Sequence, residues 1–428
     1  MAVEPGDPRP SDDDLPPDPF PGDPFGDGAG GAADGADIGS GPDFGSLQDL
    51  LGSLGLSGAG AGGGAGLGAL GPLFAALGGQ GAGGLNWDAA RQLAVWTAAG
   101  GSVEANVDPM ERIRLEELVK AAAPIVADTT GLEVPASLKV QALTRAAWAA
   151  QALEDHRGVF ERLARAVGST SSDAGTDPLG QIFRIVGPMM TSGSIGALVG
   201  QLGATSLATY DAPLPRSTDQ LTFVPSSIAA FASEWSISVE TASMHVVLAD
   251  LIAHAVLRLP HVGGHLLDAL GRYVDAARID TDGLNERIEG LMEGGGMPDP
   301  AAFGAMSAPN AEQQLRQVEI DDLLTPIVGF IEYATMVVGA RLLGDNRQVV
   351  EAWRRRRGTE SDGSRQLADL LGVRPPAAYA ERGGAFVGGV IQRAGSSGLA
   401  ALWAGPSGLP TRAELDAPGL WLARIDLA

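Results

Sequence analysis

At residue 86 the sequence changes material, and what can fold into a large core lies after that point. Residues 1–50 carry twelve Asp or Glu against the single Arg9 in a background of Pro and Gly, and residues 51–85 hold fifteen Gly and no charged residue. Neither stretch has the aliphatic periodicity needed to offset an ordering cost of roughly 1–2 kcal/mol per residue. Residues 1–85 therefore read as a disordered, acidic and Gly-rich tail, and residues 86–428 as a single all-α body. Eleven of the 23 net negative charges sit in the tail, which leaves about −12 on the body.

Along the body the apolar pattern is helical, with turn signals at helix-length intervals. Asn86 caps a helix to about Ala99, with Trp87, Leu93 and Trp96 spaced for one face. Asp108 before Pro109 opens a second helix, and Pro135 opens a third carrying Leu138, Ala142, Arg145 and Trp148. A further helix covers roughly Val159 to Val167. In the segment from Gly180 to Tyr210, Gly193, Gly196, Gly200 and Gly203 recur at three- and four-residue spacing and predict close helix packing. Residues 211–224 read as irregular or briefly extended. Pro225 starts the next helix, Ser238 with Glu240 starts the one after it, and Pro260 ends or restarts that helix. Asp280 or Asp282 caps a short helix that stops at Gly294. Long helices follow over about Ala311–Leu342 and Gln348–Arg357, then shorter pieces.

Composition narrows the chemistry. Only two Lys, Lys120 and Lys139, in an acidic body leave no electrostatic footprint for nucleic acid or an anionic membrane. The absence of Cys excludes disulfides, thiolate zinc sites and a Cys nucleophile. The start MAVEPGDPRPSDDD lacks a basic then apolar opening, and Leu179–Ala208 is interrupted by Arg184, Ser192, Ser194 and Gln201, so a soluble, cytoplasmic chain is expected. The run Arg354–Arg357 at a helix end reads as solvated charge complementing the helix dipole. No P-loop or nucleophile elbow occurs, and the Gly-rich run in the tail has no strand before it.

Four of the five histidines, His245, His254, His261 and His265, fall within 21 residues, and metal or acid–base chemistry would be sought there. On a continuous helix His245 and His254 are nine residues apart, about 900° of rotation, and face opposite ways. Asp250 and His254 are one turn apart and point the same way, as do His261 and His265 if a helix resumes at Pro260. The residues from Asp250 to His254 contain no Glu to activate a water. A core-facing Asp and His bonded to each other or to backbone is the competing reading.

Several segments in order resemble a family of zinc-dependent metalloprotease-like and hydrolase-like proteins of high-GC bacteria, some of them associated with deazaflavin-coenzyme biosynthesis. The matching pieces are Asn86-Trp87-Asp88, Tyr210-Asp211-Ala212-Pro213-Leu214-Pro215, Pro260, His265-Leu266-Leu267, Arg278-Ile279-Asp280, Glu351-Ala352-Trp353 with Arg354–Arg357, and Leu409-Pro410-Thr411. The resemblance spans about residues 86–428 and implies a mostly helical, zincin-related scaffold. It also implies a helical His-Glu-x-x-His motif, two His on zinc and a Glu activating water. Matched on His254, that motif puts Asp250 at the first His and Leu251 at the Glu. A downstream acidic position falls on Val328, and a later one on Glu332.

Leucine accepts no proton from a metal-bound water. The expected function is therefore that of a catalytically degenerate member, with no catalytic residue and no cofactor, retained as a binding or assembly module. The acidic tail would recruit a protein partner that the sequence does not identify. The alternative is an active zinc-dependent hydrolase built on Asp250, His254, His265 and Glu332. A third class is a scaffold that forms homo-oligomers through its Gly-rich helix.

Overall fold

A computed structural model describes residues 85–172, 178–277, 309–359 and 361–427. The tail expected over residues 1–85 and the short helix expected from Asp280 or Asp282 lie outside the described residues, apart from Leu85. The body is mostly helical. Its elements begin with α1 (Trp87–Ala98), α2 (Pro109–Thr130), β1 (Lys139–Ala142), α3 (Arg145–Asp155), α4 (Arg157–Ser172) and α5 (Pro178–Thr205). They continue with β2 (Gln220–Phe223), α6 (Pro225–Glu234), α7 (Val239–Leu257), α8 (Pro260–Asp275), α9 (Ala311–Leu343), α10 (Arg347–Gly358), α11 (Asp362–Leu371) and α12 (Ala377–Ala394). Two 3₁₀ segments, Ser396–Trp403 and Pro406–Gly408, lead to α13 (Arg412–Asp416) and α14 (Pro418–Leu427).

Local chemistry sets most helix starts. The Asn86 side chain accepts from Ala89 N at 3.0 Å, Asp108 accepts from Met110 N at 2.9 Å, and Ser238 accepts from Thr241 N at 3.1 Å. Each satisfies a first-turn N–H that would otherwise lack a partner. Pro260 does restart the chain as α8.

The body is not purely helical. β1 pairs with β2 in parallel, Lys139 opposite Gln220 through Ala142 opposite Phe223. The helix expected from Pro135 therefore begins only at Arg145, where the Thr144 side chain accepts from Ala147 N at 3.1 Å. Residues 139–142 pair with a segment eighty residues away, and long-range pairing overrides local helical spacing.

The face of α1 also differs from expectation. Its buried residues are Ala90, Ala94 and Ala98, while Trp96 is 59% exposed and Leu93 lies at the surface. The cause is on α5, where a Cβ on Gly196 would lie 2.6 Å from Ala90 O and a Cβ on Gly200 would lie 2.5 Å from Thr97 Cβ. Gly203 lies as close to Ala98 and Ala149, whereas Gly193 meets nothing. The two backbones approach so closely that α1 meets the ridge with small residues, Ala90, Ala94, Thr97 and Ala98. The predicted glycine ridge is real, and α1 of the same chain covers it.

Two of the described helices, Val239–Leu257 and Ala311–Leu343, are long and apolar enough to cross a membrane, yet most of each is buried inside the fold. They cross as the central pair, α7 and α9, and are apolar because neighbours surround them.

Candidate functional site

α7 is buried on every side from Val246 to Leu257, so each polar side chain it carries must find a partner inside the fold. Asp250 and His254 lie one turn apart, 3% and 1% exposed. The stretch between α5 and β2 supplies their partners. Tyr210 N donates to Asp250 Oδ1 at 2.6 Å, and the Tyr210 hydroxyl lies 3.0 Å from His254 Nδ1. His254 Nε2 faces Asp219 Oδ1 at 3.4 Å, and Arg258 reaches the same oxygen at 3.5 Å.

Burial holds His254 below the usual imidazole range. The short contact fits a Tyr210 hydroxyl that donates to Nδ1, which leaves Nε2 turned toward the Asp219 carboxylate without a hydrogen bond. Burial also raises the Tyr210 phenol. The Asp250 carboxyl is pushed up to about 7, chiefly by burial, with the Tyr210 N–H opposing the rise, and its Oδ2 has no hydrogen-bond partner. That oxygen is the place for a proton.

The pH consequence has a definite sign. A carboxyl whose folded pKa of about 7 exceeds its ordinary 3.8 binds its proton more tightly when folded. Its contribution is fully present below about 3.8 and is lost as pH rises through about 7. Asp250→Asn keeps an acceptor for Tyr210 N and removes the charge. It is expected to gain stability relative to the parent between pH 4 and pH 8, by up to about 4 kcal/mol, measured by urea unfolding at both. A difference that does not change with pH would contradict this.

The other candidate residues lie elsewhere. His265 is exposed on α8, and Glu332 on α9 pairs with Arg357 at 3.5 Å. His245, on the face of α7 opposite His254, packs edge-on against Trp353 with ring centroids 5.2 Å apart. Burial, reinforced by the nearby Arg357 charge, pushes its imidazole down to about 3. Val328 is fully buried. Among the described residues no group of three or more His, Cys, Asp or Glu is placed to hold a metal ion.

The arginine run is the clearest departure from expectation. Arg354 and Arg355 face solvent, but Arg356 donates to Asp211 Oδ2 at 2.9 Å and to Thr205 O at 2.7 Å. Arg357 points inward to Glu332, and both guanidinium groups lie 5.6 Å from the centroid of the Trp353 ring. These two arginines are parts of the core wall, because α10 packs across α7 and carries its last turn over buried carboxylates.

Above this wall lies an open cleft of about 590 Å³, bordered by Asp211, Phe231, Arg356 and Arg357 among others. Beneath it, a void of about 20 Å³ touches Asp250, Tyr210, Trp353 and Arg357. Asp211, Pro213 and Arg357 border both spaces. The Asp250–His254 pair thus sits beneath the cleft with almost no exposed surface. Tyr210 and Asp219 complete it, and sequence reasoning did not give them that role. The available signal was that Tyr210 is one of only four Tyr in the chain.

The body is mostly helical, with an Asp–His pair one turn apart on a buried central helix. The chain belongs to the zincin-like metallopeptidase family, whose model matches residues 85–422. A protein of Chloroflexus aurantiacus, described as a provisional hydrolase with a novel fold, has a similar crystal structure. The match has a TM-score of 0.57 at 21% identity and covers 80% of this chain and 99% of that one, a likeness of fold. No curated protein matches the sequence significantly.

Proposed function

We propose that this chain is a catalytically silent member of its family, a hydrolase-type scaffold kept as a binding module. The observation that carries this reading is the occupation of the motif helix. With the family motif matched on His254, Leu251, fully buried, takes the place of the base, and Tyr210 takes up one atom of each ligand candidate, Asp250 Oδ1 and His254 Nδ1. A zincin zinc needs three protein donors and an open position for water. Asp250 and His254 supply two donors at most, Val328 supplies none, and Glu332 is committed to Arg357. The residues present do not fit the metal.

Zinc added to the purified protein tests this. A site occupied at a thousandfold over its Kd stabilises by about 4 kcal/mol, so family-type binding would raise the melting temperature by several degrees. No rise that depends on His254 is expected. A rise abolished by His254→Ala would restore the alternative, an active zinc hydrolase using Asp250 and His254. The scaffold reading loses its surface, because Gly196, Gly200 and Gly203 already pack against α1 and α3 of the same chain. On the proposed reading the helical body holds the ligand or partner, and the acidic residues 1–85 recruit.

A further inference from the structure

Arginine is concentrated along the 590 Å³ cleft, in a body that is otherwise acidic. Four arginines border it, Arg145, Arg356, Arg357 and Arg374, against two carboxylates, Asp211 and Glu234. Each of the four has an acidic partner, Glu104, Asp211, Glu332 or Asp321, so what the cleft offers an anion is the donors those pairings leave unused.

Two of these arginines keep donors to spare. Arg145 uses Nε on Glu104 at 2.7 Å, and its two terminal nitrogens make no hydrogen bond among the described residues. Arg374, between α11 and α12, is half exposed and holds Asp321 at 3.4 Å through one nitrogen. A third source of donors is the start of α6. Pro225 is its first residue and no side chain caps it, so the N–H groups of Ser226 and Ser227 have no capping oxygen. Ser227 is 9% exposed, and its hydroxyl has no hydrogen-bond partner, a buried group that costs about 1–3 kcal/mol while unpaired. Donors therefore converge on one space from α3, α6 and the α11–α12 connection. A planar carboxylate has two oxygens to offer such a set, and a tetrahedral phosphate has three.

The other wall is aromatic and apolar. Trp148, held by its indole N–H on Ala208 O at 3.1 Å, and Phe231 are buried behind this wall, and half-buried Trp235 is the ring that offers surface to the space. The Trp235 indole nitrogen has no partner. Such a wall favours a flat organic body on the anion.

We propose that this cleft binds a small phosphate monoester carrying an aromatic group. The phosphate sits between Arg145, Arg374 and the first turn of α6, with the Ser227 hydroxyl turned about χ1 to meet it. This goes beyond the catalytically silent reading and does not depend on it, since none of the donors belongs to the Asp250–His254 pair.

Phenyl phosphate titrated into the full chain by calorimetry is the test, with inorganic phosphate and benzoate as comparisons. Saturable binding of phenyl phosphate is expected, at least about tenfold tighter than either comparison. Ser227→Ala and Arg374→Gln are each expected to weaken it about five- to tenfold, the loss of one hydrogen bond to a charged group. His254→Ala is expected to leave it unchanged whether or not the protein takes up zinc, so a failure here is distinct from a failure of the catalytically silent reading. No saturation by about 10 mM, equal affinity for benzoate, or an unchanged Kd in Ser227→Ala would overturn the proposal.

Discussion

Leu251→Glu, which on the proposed reading writes the family's general base back into α7, is expected to cost about 3–5 kcal/mol and to produce no peptidase activity. Leu251 is fully buried, and its neighbours along the helix, Leu248, Ile252 and Ala255, are buried apolar residues. A carboxylate there would lie among these apolar side chains and would protonate or unfold the helix that anchors the core. The substitution also removes a leucine whose packing alone is worth about 2–5 kcal/mol. Restoring the base does not release Asp250 and His254 from Tyr210, so no hydrolytic site follows. Urea unfolding together with a peptide-hydrolysis assay in added zinc reads both halves. Stability close to that of the parent with measurable hydrolysis would mean that the pocket is open and that the degenerate motif is the only barrier.

The second large effect lies where α9 crosses α12. A Cβ on Gly383 would lie 2.2 Å from Thr325 O, and one on Gly329 would lie 2.4 Å from the carbonyl carbon of Gly383. In both cases the obstacle is backbone, which cannot rotate aside as a side chain can. Gly383→Ala is expected to push the two helices apart and destabilise by about 3 kcal/mol or more, at the upper end of overpacking effects. Gly384 and Gly388 lie on the same helix, and a Cβ there meets nothing within 4 Å. Alanine at either is expected to be neutral or to stabilise by up to about 1 kcal/mol, the helix propensity difference. Equal effects at positions 383 and 384 would show that the crossing is not held by close backbone approach.

Helix starts were legible in the sequence because their causes are local. Asn86, Asp108 with Pro109, Ser238 and Pro260 all act within one turn of their own position. The glycine ridge on α5 was legible for a similar reason, since small residues at regular spacing permit one thing, close approach. What it approaches was not, and α1 was therefore assigned the wrong face: large Trp and Leu side chains announce a core, but this contact has room only for small residues. The parallel pairing of β1 with β2 depends on two segments eighty residues apart, which no local pattern encodes.

The opposed faces of His245 and His254 followed from helical arithmetic and hold in the fold. The arginine run misled because a string of charge at a helix end looks the same whether it meets water or buried acids. Only the three-dimensional course of α10 over α7 decides that Arg356 meets Asp211 and Arg357 meets Glu332. Tyr210 was visible as part of a recurring segment, without any sign that its backbone and its hydroxyl would each take one member of the Asp–His pair.

The most direct measurement of the central claim is elemental analysis of the untagged, purified chain beside His254→Ala. Zinc well below one per chain is expected in the parent, with no difference between the two proteins. Close to one zinc per chain, lost in His254→Ala, would contradict it and would mean that Tyr210 yields its two hydrogen bonds to a metal.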